Sequence, residues 1–123
     1  MRNRLISIDL FAGAGGLSCG LGMAGFSPIF ANEIKRDIRS FLGLKEGELD
    51  LLAGGPPCQG FSINAPIRTL DDKRNHLFKD FLRITKALSP KAVLIENVTG
   101  IISLGKGTVV KQIYKELEQM GYS

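Results

Sequence analysis

Apolar residues occur along this chain in two kinds of run. Short, nearly continuous runs at 5–10, 28–32, 49–53 and 92–95 predict β-strands. Two longer stretches predict amphipathic helices. At 75–88, Leu77, Phe78, Phe81, Leu82, Thr85 and Leu88 fall on one face. At 106–120, Val109, Val110, Ile113, Leu117 and Met120 repeat that spacing. Ser89-Pro90 and Gly121 stop these two helices. Residues 17–24 follow no clean period, and their length and the closing Gly25 predict a short helix.

Strands alternating with helices predict an α/β fold, and continuous rather than alternating apolar strands predict a parallel sheet covered on both faces. In such sheets, ligands bind outside the carboxyl ends of the strands. The polar and glycine-rich residues of this chain collect there: Phe11 to Gly16, Glu33, Pro56 to Cys58, and Glu96-Asn97. Two stretches fit the pattern poorly. The interval from Glu33 to Leu49 is too short for a helix, a strand and two loops, so a segment is expected to be missing there. Tyr122-Ser123 reads as the start of a further strand. Residues 64–73 read as a polar surface loop.

Composition narrows the possibilities. At 123 residues the chain suits one domain, and 44% hydrophobic with 23% charged residues is a globular balance. The net charge of +4 is compatible with a polyanionic partner and decides little alone. Two cysteines and one histidine exclude a disulfide framework and a Cys/His zinc cluster. No apolar run reaches the roughly 18 residues of a membrane span. The start carries no small-residue cleavage site for a signal peptide. The expectation is a reduced, intracellular domain without metal, cytoplasmic if the source is prokaryotic.

Phe11-Ala12-Gly13-Ala14-Gly15-Gly16 lacks the dinucleotide spacing but permits a tight turn and close backbone approach to a ligand. The helix start behind it offers free N–H groups to an anion. Glu33, at the end of the second strand, has the place of a ribose-binding carboxylate. A nucleoside cofactor with an amino-acid tail suits this set better than a dinucleotide. The alternative is a close-packed turn with a solvated Glu33. Phe11 is either core or a ring laid on the ligand, and Asp37 either a helix cap or an acceptor for an adenine amino group.

The stretch Gly54-Gly55-Pro56-Pro57-Cys58-Gln59-Gly60-Phe61-Ser62 is the most informative. Two prolines bar a regular helix start, and glycines allow an unusual path. A cysteine there is presented rather than packed, which suits a nucleophile. Cys19, between Leu17 and Leu21, reads instead as a small buried hydrophobe. Glu96 at a strand end suits a general acid or a base-edge hydrogen bonder, and burial would help it hold a proton. Arg68, Lys73 and Arg74 make the following loop basic, and Asn75 has the chemistry of a helix cap.

Taken in order, these motifs resemble the amino-terminal part of the catalytic domain of the cytosine-5 DNA methyltransferases. The resemblance rests on Asp9-Leu10-Phe11-Ala12-Gly13-Ala14-Gly15-Gly16, Asn32-Glu33, Asp37-Ile38, the Gly54 to Ser62 stretch, Arg74-Asn75-His76-Leu77-Phe78 and Glu96-Asn97-Val98. It implies an incomplete doubly wound, mostly parallel, Rossmann-like fold that binds S-adenosyl-L-methionine. Phe11, Gly13, Gly15, Gly16 and Leu17 would cradle the cofactor, Glu33 its ribose, and Asp37 its adenine amino group. Ile38, Pro57 and Leu77 would pack around the ring. Cys58 would attack carbon 6 of a cytosine flipped out of duplex DNA, and Glu96 would hold that ring. Ser62, Arg74 and Asn97 would position the substrate and the cysteine loop.

The departures from the family are equally specific. Residues 1–123 correspond to the first part of the catalytic domain, with a segment missing between 34 and 37. The family's target-recognition domain and carboxyl-terminal segment have no counterpart. Ile34 replaces the usual larger platform after the ribose-binding glutamate. The chain alone is therefore not expected to methylate DNA. A transfer-RNA cytosine methyltransferase is the nearest rival, though Gln59-Gly60-Phe61-Ser62 leans toward DNA. A non-catalytic cofactor-binding or DNA-associated protein is the other. A cognate restriction endonuclease is the partner expected if the parent enzyme is a protective one.

Overall fold

The computed structural model describes residues 4–11, 15–32, 42–56, 76–96 and 107–123. Among the described residues seven elements follow one another: β1 (Leu5–Leu10), α1 (Gly16–Met23), β2 (Phe26–Asn32), β3 (Leu51–Gly54), α2 (His76–Leu88), β4 (Ala92–Ile95) and α3 (Thr108–Gln119). The strands form one sheet in the order β2-β1-β3-β4, with every pair parallel. This is the mostly parallel α/β sheet that the apolar runs predict.

Alternation along the strands divides the core between the two faces of the sheet. Ile8 and Leu10 of β1 and Leu52 of β3 pack with Phe81, Ile84 and Leu88 of α2. Phe78 and Leu82 continue that layer onto Ile113 of α3. On the opposite face, Leu51 and Ala53 meet Leu21 of α1, with Leu17 and Phe26 beside them. The helical spacing thus identified the buried face of α2 and omitted only Ile84, which is 1% exposed.

Three expectations are corrected. Strand β2 begins at Phe26, two residues before Pro28. A proline breaks a strand only where its N–H is needed, and β2 is an edge strand. The register also slips between Ser7 and Ile8, which pair with Pro28 and Phe30 and leave Ile29 as the extra residue of a bulge. Cys19 is exposed, not buried. Only Leu21 of α1 is fully buried, because three further glycines in this eight-residue helix leave it little side chain to pack. Tyr122-Ser123 adopts no strand. The Tyr122 hydroxyl donates to the Pro90 carbonyl at 2.6 Å, and its N–H donates to the Leu117 carbonyl at 3.1 Å, turning the chain back after α3.

No helix among the described residues is long and apolar enough to cross a membrane.

Candidate functional site

Strand β1 lies between β2, its successor through α1, and β3, which the chain reaches on the other side. The strand order therefore reverses direction at the β1–β3 boundary. A crevice opens outside the carboxyl ends at such a point, because the connections leave it on opposite faces. Backbone bonds hold the crevice wall together. Gly55 N–H donates to the Leu10 carbonyl at 3.3 Å, and Glu96 N–H donates to the Gly54 carbonyl at 2.9 Å. The ends of β1, β3 and β4 are thereby aligned.

On the β1 side, Phe11 has a φ of 61°, a left-handed conformation rare for a bulky residue. Its ring is half-buried against the α2-facing core, so it is partly core and partly on the loop. Gly15 has a φ of 82° and precedes α1 with no side chain capping the helix. The helix bonds begin with Cys19 N–H donating to the Gly15 carbonyl at 2.9 Å. The N–H groups of the first turn are therefore available. A Cβ added at Gly15 or Gly16 would meet nothing within 4 Å, so the space over this turn is open.

Asp9 stands in the first motif with no role of its own assigned from the sequence. It is fully buried in β1, on the α1 face. Its Oδ2 accepts a 2.6 Å hydrogen bond from the Ser18 hydroxyl in the first turn of α1. Its Oδ1 is buried and finds no partner among the described residues. A buried carboxylate oxygen without a donor is costly and calls for a ligand or a water. The signal was present in the sequence as an acidic residue within an apolar strand.

On the β3–β4 side, Glu96 lies beside Gly55. A Cβ built on Gly55 would fall 2.6 Å from Glu96 Oε2. Glu96 is exposed, not buried as the sequence reading allowed. Pro56 is buried. Leu77 is half-buried in the first turn of α2.

Thus Phe11, Gly15, Gly16, Leu17 and Glu96 stand at one edge of the sheet, as the strand ends predict. Gly13, Glu33, Asp37, Ile38, Pro57, Cys58, Ser62, Arg74 and Asn97 lie outside the described residues. Among the described residues no cluster of three or more His, Cys, Asp or Glu could hold a metal ion. A groove of about 390 Å³ runs along the other end of β4 and the end of α3, lined by Lys91, Val93, Tyr114 and Leu117, away from Glu96.

Comparison with known proteins settles the family. The model of the C-5 cytosine-specific DNA methylases matches residues 5–43 and 35–123. The chain belongs to this family. The chain is 40% identical to the type II methyltransferase M.FnuDI of Fusobacterium nucleatum, over 94% of its own length and 39% of the relative. It is 35% identical to M.AquIA of Picosynechococcus, over 97% of this chain and 58% of that protein. A crystal structure described as a DNA modification methyltransferase encoded within a prophage (E. coli) superposes with a TM-score of 0.70 at 30% identity. That match covers 94% of this chain and 38% of the other. The chain therefore spans less than two thirds of each of these relatives. The family matches overlap at 35–43, and the alignment to M.FnuDI runs over 133 residues, more than this chain contains.

Proposed function

We propose that this chain forms the cofactor-binding and cysteine-bearing part of an enzyme that methylates carbon 5 of cytosine in duplex DNA. The observation that carries the reading is the convergence at the β1–β3 switch point. An uncapped helix start, a buried carboxylate with a free oxygen and the exposed carboxylate of Glu96 stand at one sheet edge, in a chain of the C-5 methylase family.

The first two features suit an α-amino acid, the end group of S-adenosyl-L-methionine. A carboxylate is held by the N–H groups of the first turn of α1, and an ammonium by Asp9 Oδ1. Phe11, Gly13, Gly15, Gly16 and Leu17 line that end. Glu33 takes the ribose, Asp37 the adenine amino group, and Ile38, Pro57 and Leu77 the adenine ring. When bound, the cofactor supplies an electrophilic methyl group.

The chain's own chemistry is addition and elimination. The Cys58 thiolate adds to carbon 6 of a cytosine turned out of the duplex. Glu96 hydrogen-bonds N3 and the exocyclic amino group and stabilises the electron-rich ring. Methylation at carbon 5 is followed by loss of the carbon 5 proton to solvent or base and departure of the thiolate. Ser62, Arg74 and Asn97 position the substrate and the loop. The break in the family match at 35–43 supports a missing segment near 34–37, and the remaining length of the relatives supports a separate target-recognition part.

The test is covalent capture. Incubated with cofactor and a duplex carrying 5-fluorocytosine, the chain is expected to form an adduct that Cys58→Ala abolishes. Binding of S-adenosyl-L-homocysteine without any adduct would support the second reading, a cofactor-binding piece without catalysis. Neither binding nor capture would sink both.

A further inference from the structure

We infer that Gly55 is a positioning residue for Glu96: the bare Cα of Gly55 is the seat on which the Glu96 carboxylate rests. The two glycines that end β3 and begin its loop face different obstacles. A Cβ on Gly54 would lie 2.8 Å from the Leu10 carbonyl oxygen and 2.9 Å from the Phe81 ring. Backbone and a fully buried ring cannot move aside, so Gly54 is explained by packing.

Gly55 is not explained that way. Its Cβ would lie 2.6 Å from Glu96 Oε2, 3.8 Å from Glu96 Cδ and 3.4 Å from the Glu96 carbonyl oxygen. The nearest obstacle is the end of a flexible, exposed side chain, which can swing away at little cost. Conformation does not demand glycine either. Among the described residues the positive-φ glycines are Gly15, Gly25, Gly43, Gly47, Gly107 and Gly121, and Gly55 is not one of them. What a side chain at position 55 would destroy is the placement of a carboxylate. The backbone holds the Glu96 main chain against this loop, since Glu96 N–H is tied to the Gly54 carbonyl and Gly55 N–H to the Leu10 carbonyl. The seat lies three residues before Cys58. The catalytic meaning of the seat rests on the cytosine-methylating reading above; the seat itself does not.

The experiment uses the full chain with ¹³C-labelled glutamate side chains, the Glu96 carboxyl resonance being assigned by its loss in Glu96→Gln. In Gly55→Ala, the Glu96 resonance is expected to shift, while the other glutamate resonances and the thermal midpoint stay close to wild type. An unmoved Glu96 resonance would overturn the inference. So would a large loss of thermal stability that persists in the double variant Gly55→Ala/Glu96→Ala, where no carboxylate remains to be displaced. Capture on the 5-fluorocytosine duplex provides the functional arm. Gly55→Ala is expected to slow adduct formation on the order of a hundredfold, the scale of a misplaced reacting group. An unchanged rate would overturn the inference. A wild-type chain that forms no adduct would count against the catalytic reading of this chain, and the resonance alone would then decide the seat.

Discussion

Lys91 Nζ lies 2.7 Å from Oδ1 of Asp50, and the second oxygen of Asp50 accepts the Ile6 N–H at 2.8 Å. One nearly buried carboxylate therefore joins the starts of β1, β3 and β4. Asp50→Ala leaves the Ile6 N–H without this acceptor, and a cost of about 1–3 kcal/mol is expected. Lys91→Ala is expected to cost about 1 kcal/mol or less, because its side chain is 62% exposed and screened by solvent. Urea denaturation of the two variants side by side checks the order.

At the other end of the sheet, Gly54 meets backbone and ring rather than a movable side chain. Gly54→Val is expected to lose about 1–3 kcal/mol through overpacking. The same denaturation series tests this, and a neutral result would mean that the Leu10–Phe81 contact is looser than the geometry.

The phenol of Tyr122 is pushed above its ordinary pKa by burial. Its neutral form is thus favoured in the folded state. The associated stability is fully present below about pH 10, the unfolded value. It is lost as the pH rises through the higher folded value. Tyr122→Phe removes the bond to Pro90 and is expected to cost about 1 kcal/mol at neutral pH. Thermal midpoints of the two proteins should converge between neutral and strongly alkaline pH. Parallel curves would refute the linkage.

Asp9→Asn retains an acceptor for Ser18 and removes the negative charge beneath the start of α1. Calorimetric binding of S-adenosyl-L-homocysteine is expected to weaken by about tenfold, the loss of one charge-assisted hydrogen bond. Unchanged affinity would remove Asp9 from the cofactor site.

Much of this was readable from residue order because burial imposes a period. Strands β1 and β4 have the bounds that their apolar runs predict, and α2 buries the face that Leu77 to Leu88 marks. Periodicity failed where side chains are scarce. The glycines of α1 leave Cys19 exposed although its neighbours are apolar. Pro28 looked like a strand boundary because its edge position cannot be seen in sequence. The motif residues at strand ends were legible as chemistry, whereas Asp9 and Gly55 were not. Asp9 matters through an oxygen left over after Ser18 is satisfied, and Gly55 through a carboxylate from a strand 41 positions further on.

The Asp50 tie also carries a timetable. Asp50 is 44 residues from Ile6 and 41 from Lys91, and β3 joins β1 to β4 across the same intervals. During synthesis only the β1–α1–β2 unit can close early. The sheet becomes whole only after Ile95 has emerged, and the Phe78 and Leu82 part of the α2 face must wait in the nascent chain for Ile113 of α3. A chain interrupted before β4 would leave Phe78 without Ile95 of β4 and Ile113 of α3, while Phe81 would still find β1 and β3.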